Sequence, residues 1–304
     1  MSFEWKGVFP AMLTPFTRDD RLDLDLFGVN IQAQEAAGVN GIVIGGSLGE
    51  ASTLTSEEKR SLVLFSVGQV NDRLPVILNI AEGATAEAIR QSQFAEQWGA
   101  SGLMLLPPMR YKADSRETLA FFKAVANSCS LPIMIYNNPV DYKIEVTLDM
   151  FEELAECANI QAVKESTRDV SNVTRMINRF GSRFRILCGV DPIAMEELQM
   201  GADGWVAGLV DAFPRETVSI YRLTIAGKIV EARNILRWFL PLLELDIDPK
   251  LVQYIKLAAT QTGLSSEYVR APRLKLEGEE RSRVLQVIRD GIATRPELPD
   301  YLNL

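Results

Sequence analysis

The 304-residue chain contains no histidine. That removes the side chain that titrates nearest neutral pH and the commonest metal ligand. Cysteine is scarce. Cys129, Cys157 and Cys188 are odd in number, lack C-x-x-C spacing and lie near apolar segments, which suits buried thiols in a reducing compartment rather than disulfides. No apolar run approaches the roughly 20 residues a membrane span needs. Positive charge is not in excess either: 32 Lys and Arg face 40 Asp and Glu, for a net charge of −8. With the basic residues scattered, a nucleic acid or an anionic membrane is not an expected partner. The segment Met1-Ser2-Phe3-Glu4-Trp5-Lys6 lacks the basic-then-apolar pattern of an export signal, so a cytoplasmic protein is expected.

What is present is an apolar share of 47%, enough for a large globular core in one or two domains. Eight short aliphatic runs punctuate the first two-thirds: Gly7–Leu13, Gly41–Ile44, Pro75–Ile80, Gly102–Leu106, Pro132–Tyr136, Ile160–Lys164, Arg185–Cys188 and Gly204–Gly208. They do not alternate polar with apolar, so each reads as a strand buried on both faces of a parallel sheet. Between them lie helix-like stretches such as Ser56–Val70, Ala86–Trp98, Ser115–Ser128 and Val170–Arg179, with Thr55 and Glu58 at capping-box spacing. A weak repeat, Ala37-Gly38-Val39-Asn40-Gly41, Gly99-Ala100-Ser101-Gly102 and Gly201-Ala202-Asp203-Gly204, ends three helices and starts three strands.

The expected fold is therefore α/β: a (β/α)8 TIM barrel over residues 1–226, with a C-terminal helical extension over 227–304. An open doubly wound sheet is less suited, because the dinucleotide-binding G-x-G-x-x-G turn is missing. The extension reads as helices at Val230–Leu243, Lys250–Thr262 and Gly278–Thr294. The apolar positions Ile235, Trp238, Phe239, Leu242 and Leu243 suit a face covering either the barrel or a second subunit.

In such a barrel the active site lies at the C-terminal ends of the strands. There the sixth strand ends in Lys164 and the fifth in Tyr136, at matching positions on adjacent strands. An amine in an apolar barrel mouth loses hydration, which favours its neutral, nucleophilic form. A neutral lysine forms Schiff bases with carbonyl carbons, and a phenol is the available proton shuttle where no imidazole exists. The glycine-rich turn Gly45-Gly46-Ser47-Leu48-Gly49-Glu50 offers N–H groups and the Ser47 hydroxyl to a carboxylate, and lacks the Lys-Ser/Thr of a phosphate loop. Nothing in the pattern calls for a metal or an organic cofactor.

Taken together, Gly7-Val8-Phe9-Pro10 through Thr14-Pro15-Phe16, Gly46-Ser47-Leu48-Gly49-Glu50, Tyr136-Asn137-Asn138-Pro139 and Val163-Lys164-Glu165-Ser166 resemble, in order and spacing, the dihydrodipicolinate synthase/N-acetylneuraminate lyase family. The resemblance implies a class I aldolase-type enzyme, usually a homotetramer. It implies Lys164 as Schiff-base residue, Tyr136 as proton relay with Ser47, and the α-keto carboxylate at Ser47-Leu48. Three departures stand out. Leu48 replaces a relay threonine, Arg110 a tyrosine of the synthases, and Asp141 their carboxylate-binding arginine.

Within the family, Pro108-Met109-Arg110-Tyr111-Lys112, Trp205-Val206-Ala207-Gly208-Leu209-Val210 and Val269-Arg270-Ala271-Pro272-Arg273 are most similar to the 1-pyrroline-4-hydroxy-2-carboxylate deaminases of hydroxyproline catabolism. That resemblance implies release of 2,5-dioxopentanoate and ammonia, with Asn138, Asp141, Arg110 and Gly189 joining Ser47 and Leu48 around the substrate. Another lyase, aldolase or dehydratase of 2-keto acids is the alternative.

Overall fold

The computed structural model describes residues 3–304. Eight strands run in parallel: β1 Gly7–Pro10, β2 Ile42–Ile44, β3 Val76–Ile80, β4 Gly102–Leu105, β5 Ile133–Asn137, β6 Ile160–Glu165, β7 Arg185–Cys188 and β8 Gly204–Ala207. Nearly every strand residue is buried; Gln161 and Arg185 alone are exposed. This is the burial pattern of a sheet covered on both faces. The strands follow one another around the sheet, and β1 pairs with β8. A parallel bridge between Ala11 and Val43, with the Met12 N–H donating to the Val43 carbonyl at 2.8 Å, brings β1 against β2. The result is a nearly closed (β/α)8 barrel.

The outer layer comprises α1 Leu24–Ala37, α2 Ser56–Val70, α3 Thr85–Gln97, α4 Ser115–Ala126, the one-turn α5 Pro139–Tyr142, α6 Leu148–Leu154, α7 Ser171–Phe180, α8 Ala194–Gln199 and α9 Pro214–Ile225. The predicted capping box forms: the Glu58 N–H donates to Thr55 Oγ1 at 3.2 Å, and the Thr55 N–H donates to Glu58 at 2.9 Å. In the three repeated turns, Gly38, Gly99 and Gly201 all take positive φ (87°, 87° and 108°). A side chain there would resist the left-handed turn that sends each helix back into a strand. All three cysteines are free, with Cys188 buried and the other two half-buried.

The extension is three helices, α10 Ile229–Leu243, α11 Leu251–Gln261 and α12 Gly278–Ala293. It covers the barrel of its own chain: Ile235, Phe239, Leu242 and Leu243 are buried in the common core, and Phe213 meets Trp238 and Phe239 edge-on. Between α10 and α11 a 3-10 turn, Glu244–Ile247, packs against the 3-10 turn Asp191–Ile193 that follows β7. The element thus reaches the C-terminal mouth of the barrel.

One charge pair locks this arrangement. Lys256 of α11 donates at 2.5 Å to Glu50 at the end of the β2 loop, and both side chains are fully buried. Burial pushes the Lys256 ammonium down to about 8 despite the pull of Glu50. The second Glu50 oxygen accepts from the Arg270 N–H at 3.0 Å. Removing one partner of a buried pair strands the other charge, whereas removing both is far milder. Lys256→Met is expected to cost about 3–5 kcal/mol in urea unfolding, and adding Glu50→Gln should recover most of the loss. Additive losses would show that the pair is not coupled.

Candidate active site

Lys164 and Tyr136 are direct partners across the β5–β6 ladder. Side chains alternate along a strand, so Lys164 faces the barrel interior while the next residue, Glu165, faces outward. There Glu165 accepts from the Thr167 N–H at 2.7 Å and from Asn172 at 2.9 Å. The Lys164 Nζ lies 4.2 Å from the centroid of the Tyr136 ring, and its side chain is buried. Gly189, just after β7, makes room for it. A Cβ at that position would stand 2.6 Å from Lys164 Cε and 2.2 Å from Ser166 Oγ.

The two residues floor a chamber of about 80 Å³ whose lining includes Ser47, Leu48, Asn138, Asp141, Tyr142, Ser166, Arg168, Gly189 and Asp246. A wider vestibule of about 430 Å³ continues outward past Tyr142, Arg168 and Asp246 to Arg273. The short helix α5 shapes one wall. Asn138 caps it, accepting from the Asp141 N–H at 3.1 Å, and its own Nδ2 donates to the Tyr136 hydroxyl (3.2 Å) and to Asp141 Oδ2 (2.7 Å). That cap turns Tyr142 into the chamber, edge-on to Tyr136 with ring centroids 5.5 Å apart. Tyr142, not Tyr136, is the hydroxyl partner of Ser47.

The expected site residues do not all converge. Lys164, Tyr136, Ser47, Leu48, Asn138, Asp141 and Gly189 line the chamber, whereas Arg110 does not. It is exposed on the loop after β4, with its stem lying over Gly83. Nor is position 141 simply an anion in place of a cation, because Arg168 Nη2 approaches Asp141 to 3.9 Å. Arg168 holds φ at 64°, a left-handed conformation unusual for arginine. Ser166 stood in the lysine motif without a role assigned, and Tyr142, Arg168 and Asp246 were not picked out in the sequence. Only Tyr142 carried a signal, six residues after Tyr136 beyond the Asn-Asn-Pro turn.

The electrostatics follow from burial. Desolvation holds the Lys164 amine below its ordinary value, and ionisation of Asp246, Tyr142 or Asp191 would pull it back up. Tyr136 is pushed up to about 12, mainly by burial, so it rests as a phenol. Burial also raises Asp191 and drives Asp246 well above the carboxylate range. Asp191 is a structural anchor: it accepts from Trp205 Nε1 (2.8 Å), Gly208 N–H (3.1 Å) and Leu209 N–H (2.7 Å). Gly189→Ala is expected to cost about 1–3 kcal/mol of stability while displacing Lys164, slowing borohydride-trappable adduct formation with a 2-oxo acid on the order of 10²-fold. An unchanged rate would show that Gly189 does not set the lysine's position.

Comparison with known proteins finds relatives across nearly the whole chain. Residues 4–290 match the family described as the dihydrodipicolinate synthetase family. The 4-hydroxy-tetrahydrodipicolinate synthase of Exiguobacterium sibiricum is 34% identical over 275 residues, covering 90% of this chain and 92% of its own. Among solved structures, dihydrodipicolinate synthase from Aquifex aeolicus superimposes with a TM-score of 0.90 at 28% identity, covering 94% of this chain and 98% of its own. A prophage protein of the same family from E. coli K12, solved in complex with pyruvate, gives 0.88 at 27% identity, covering 95% and 99%. On this match of sequence and fold, the chain belongs to the dihydrodipicolinate synthetase family and is an enzyme of the class I aldolase/lyase type.

Proposed function

We propose that the protein is a Schiff-base-forming lyase that acts on 2-oxo acids, or on their cyclic imines, through Lys164. The observation that carries this reading is a buried amine on the sixth barrel strand, held toward neutrality 4.2 Å from a phenol ring at the floor of a small chamber. A neutral amine attacks the C2 carbonyl carbon, and the Tyr136 phenol protonates the departing oxygen. The phenolate left behind is a strong base, suited to take the C3 proton that the iminium has acidified. Among the described residues the Ser47 and Leu48 N–H groups donate to no protein acceptor, which suits them to a substrate carboxylate. Pyruvate in the E. coli relative is a ligand of this class.

Two specific reactions fit. The names of the curated relatives favour a 4-hydroxy-tetrahydrodipicolinate synthase activity. The chamber itself favours a second reading, ring-opening deamination of 1-pyrroline-4-hydroxy-2-carboxylate. Two carboxyl groups, Asp141 and Asp246, line the space beside Lys164, and they suit hydroxyl or nitrogen atoms on the far side of the substrate. A homotetramer belongs to the same proposal, checked by a solution mass four times the 33.8 kDa chain.

Borohydride reduction in the presence of pyruvate is expected to attach a covalent adduct at Lys164, located by peptide mass spectrometry. Lys164→Ala should abolish it, and because a buried amine is costly, should leave the melting temperature unchanged or higher. No adduct with any 2-oxo acid would sink the reading. Ammonia released from the pyrroline selects the deaminase, and condensation of pyruvate with aspartate semialdehyde selects the synthase.

A further inference from the structure

Asp246 does not come from the barrel. It sits on the 3-10 turn between α10 and α11, yet it lines both the chamber and the vestibule, where the two spaces meet. The chain clears a path for it. A Cβ on Gly208, at the end of β8, would lie 2.1 Å from Asp246 Oδ1. Unlike Asp191, whose oxygens accept from Trp205, Gly208 and Leu209, Asp246 receives only a weak approach from the Asp191 N–H. Chemistry at C2 and C3 already occupies Lys164 and Tyr136, so an oxygen on C4 needs a donor of its own, and no histidine is present to serve.

We propose that Asp246 is the catalytic proton donor to the C4 oxygen of a 4-hydroxy-2-oxo acid, or its cyclic imine, joined to Lys164. The proposal rests on the Schiff-base reading and specifies its substrate class. Once the C3 proton has passed to Tyr136, the enamine electron pair shifts into the C3–C4 bond. The C4–O bond breaks with its electrons on oxygen, the Asp246 proton moves to that oxygen, and water departs. Asp246, left as a carboxylate, regains a proton from solvent through the vestibule. Burial, with Asp191 adding repulsion, shifts the carboxyl toward its protonated form, while Lys164 opposes. Asp141, Arg168, Tyr136 and Tyr142 are the other ionisable groups lining the chamber, and the vestibule adds Asp248 and Arg273.

The test compares wild type with Asp246→Asn and Gly208→Ala. The probes are pyruvate, 1-pyrroline-4-hydroxy-2-carboxylate and open-chain 4,5-dihydroxy-2-oxopentanoate. Asp246→Asn is expected to keep pyruvate trapping and the exchange of pyruvate C3 protons into deuterium oxide. It should lose about 10²–10⁴-fold in kcat on the 4-hydroxy probes. Wild-type turnover should fall as pH rises through the Asp246 pKa, a limb absent from the variant. Gly208→Ala, by crowding Asp246 aside, should show the same split. Equal turnover by Asp246→Asn, or a parallel loss of trapping and exchange, would overturn the proposal. A wild type that traps pyruvate but turns over neither 4-hydroxy probe overturns it alone. A wild type with no pyruvate adduct overturns the Lys164 reading as well.

Discussion

The desolvation of one amine organises this molecule. Each unit of pKa depression represents about 1.4 kcal/mol of preference for the neutral form, and the barrel supplies it by placing Lys164 where little water reaches. The same low-polarity surroundings act on every neighbour: Tyr136, Asp191 and Asp246 are all raised. That shared direction matters. Full ionisation of the two carboxyl groups would pull the amine back toward its ammonium form. Burial therefore shifts the amine and the acids around it toward their neutral forms together.

The C-terminal helices are part of this arrangement rather than a covering. They carry Asp246 to the chamber, and through Lys256 they grip Glu50 across 206 residues of sequence. Glu50 ends the loop that presents Ser47, and its backbone is left-handed, with φ of 58°. A buried ion pair adds little net stability but is costly to break. Its use here is to fix the relative position of two segments whose side chains, Ser47 and Asp246, line the same chamber.

Much of the fold was legible because buried parallel strands write themselves as uninterrupted apolar runs, and all eight were readable. Element ends moved by a few residues: the first run extends to Leu13, but the ladder stops at Pro10. Lys164 and Tyr136 were legible because both close strands that pair in register. Residues delivered by irregular backbone were not. Asp246 rides on a 3-10 turn with no periodic signature, and Arg168 reaches the chamber rim from a residue in the left-handed conformation. Arg110 was drawn to the site by the resemblance, but the loop after β4 carries it over Gly83. Reading Asp141 as a lost cation assumed that one position supplies one charge; the neighbouring loop brings Arg168 beside it.

The central claim is that burial keeps the Lys164 amine available as a nucleophile. Nitrogen-15 NMR of lysine-labelled protein, with Lys164→Ala to assign the resonance, measures that directly. A titration midpoint well below the ~10.4 of an ordinary lysine is the predicted result. A midpoint at or above that value would contradict the account.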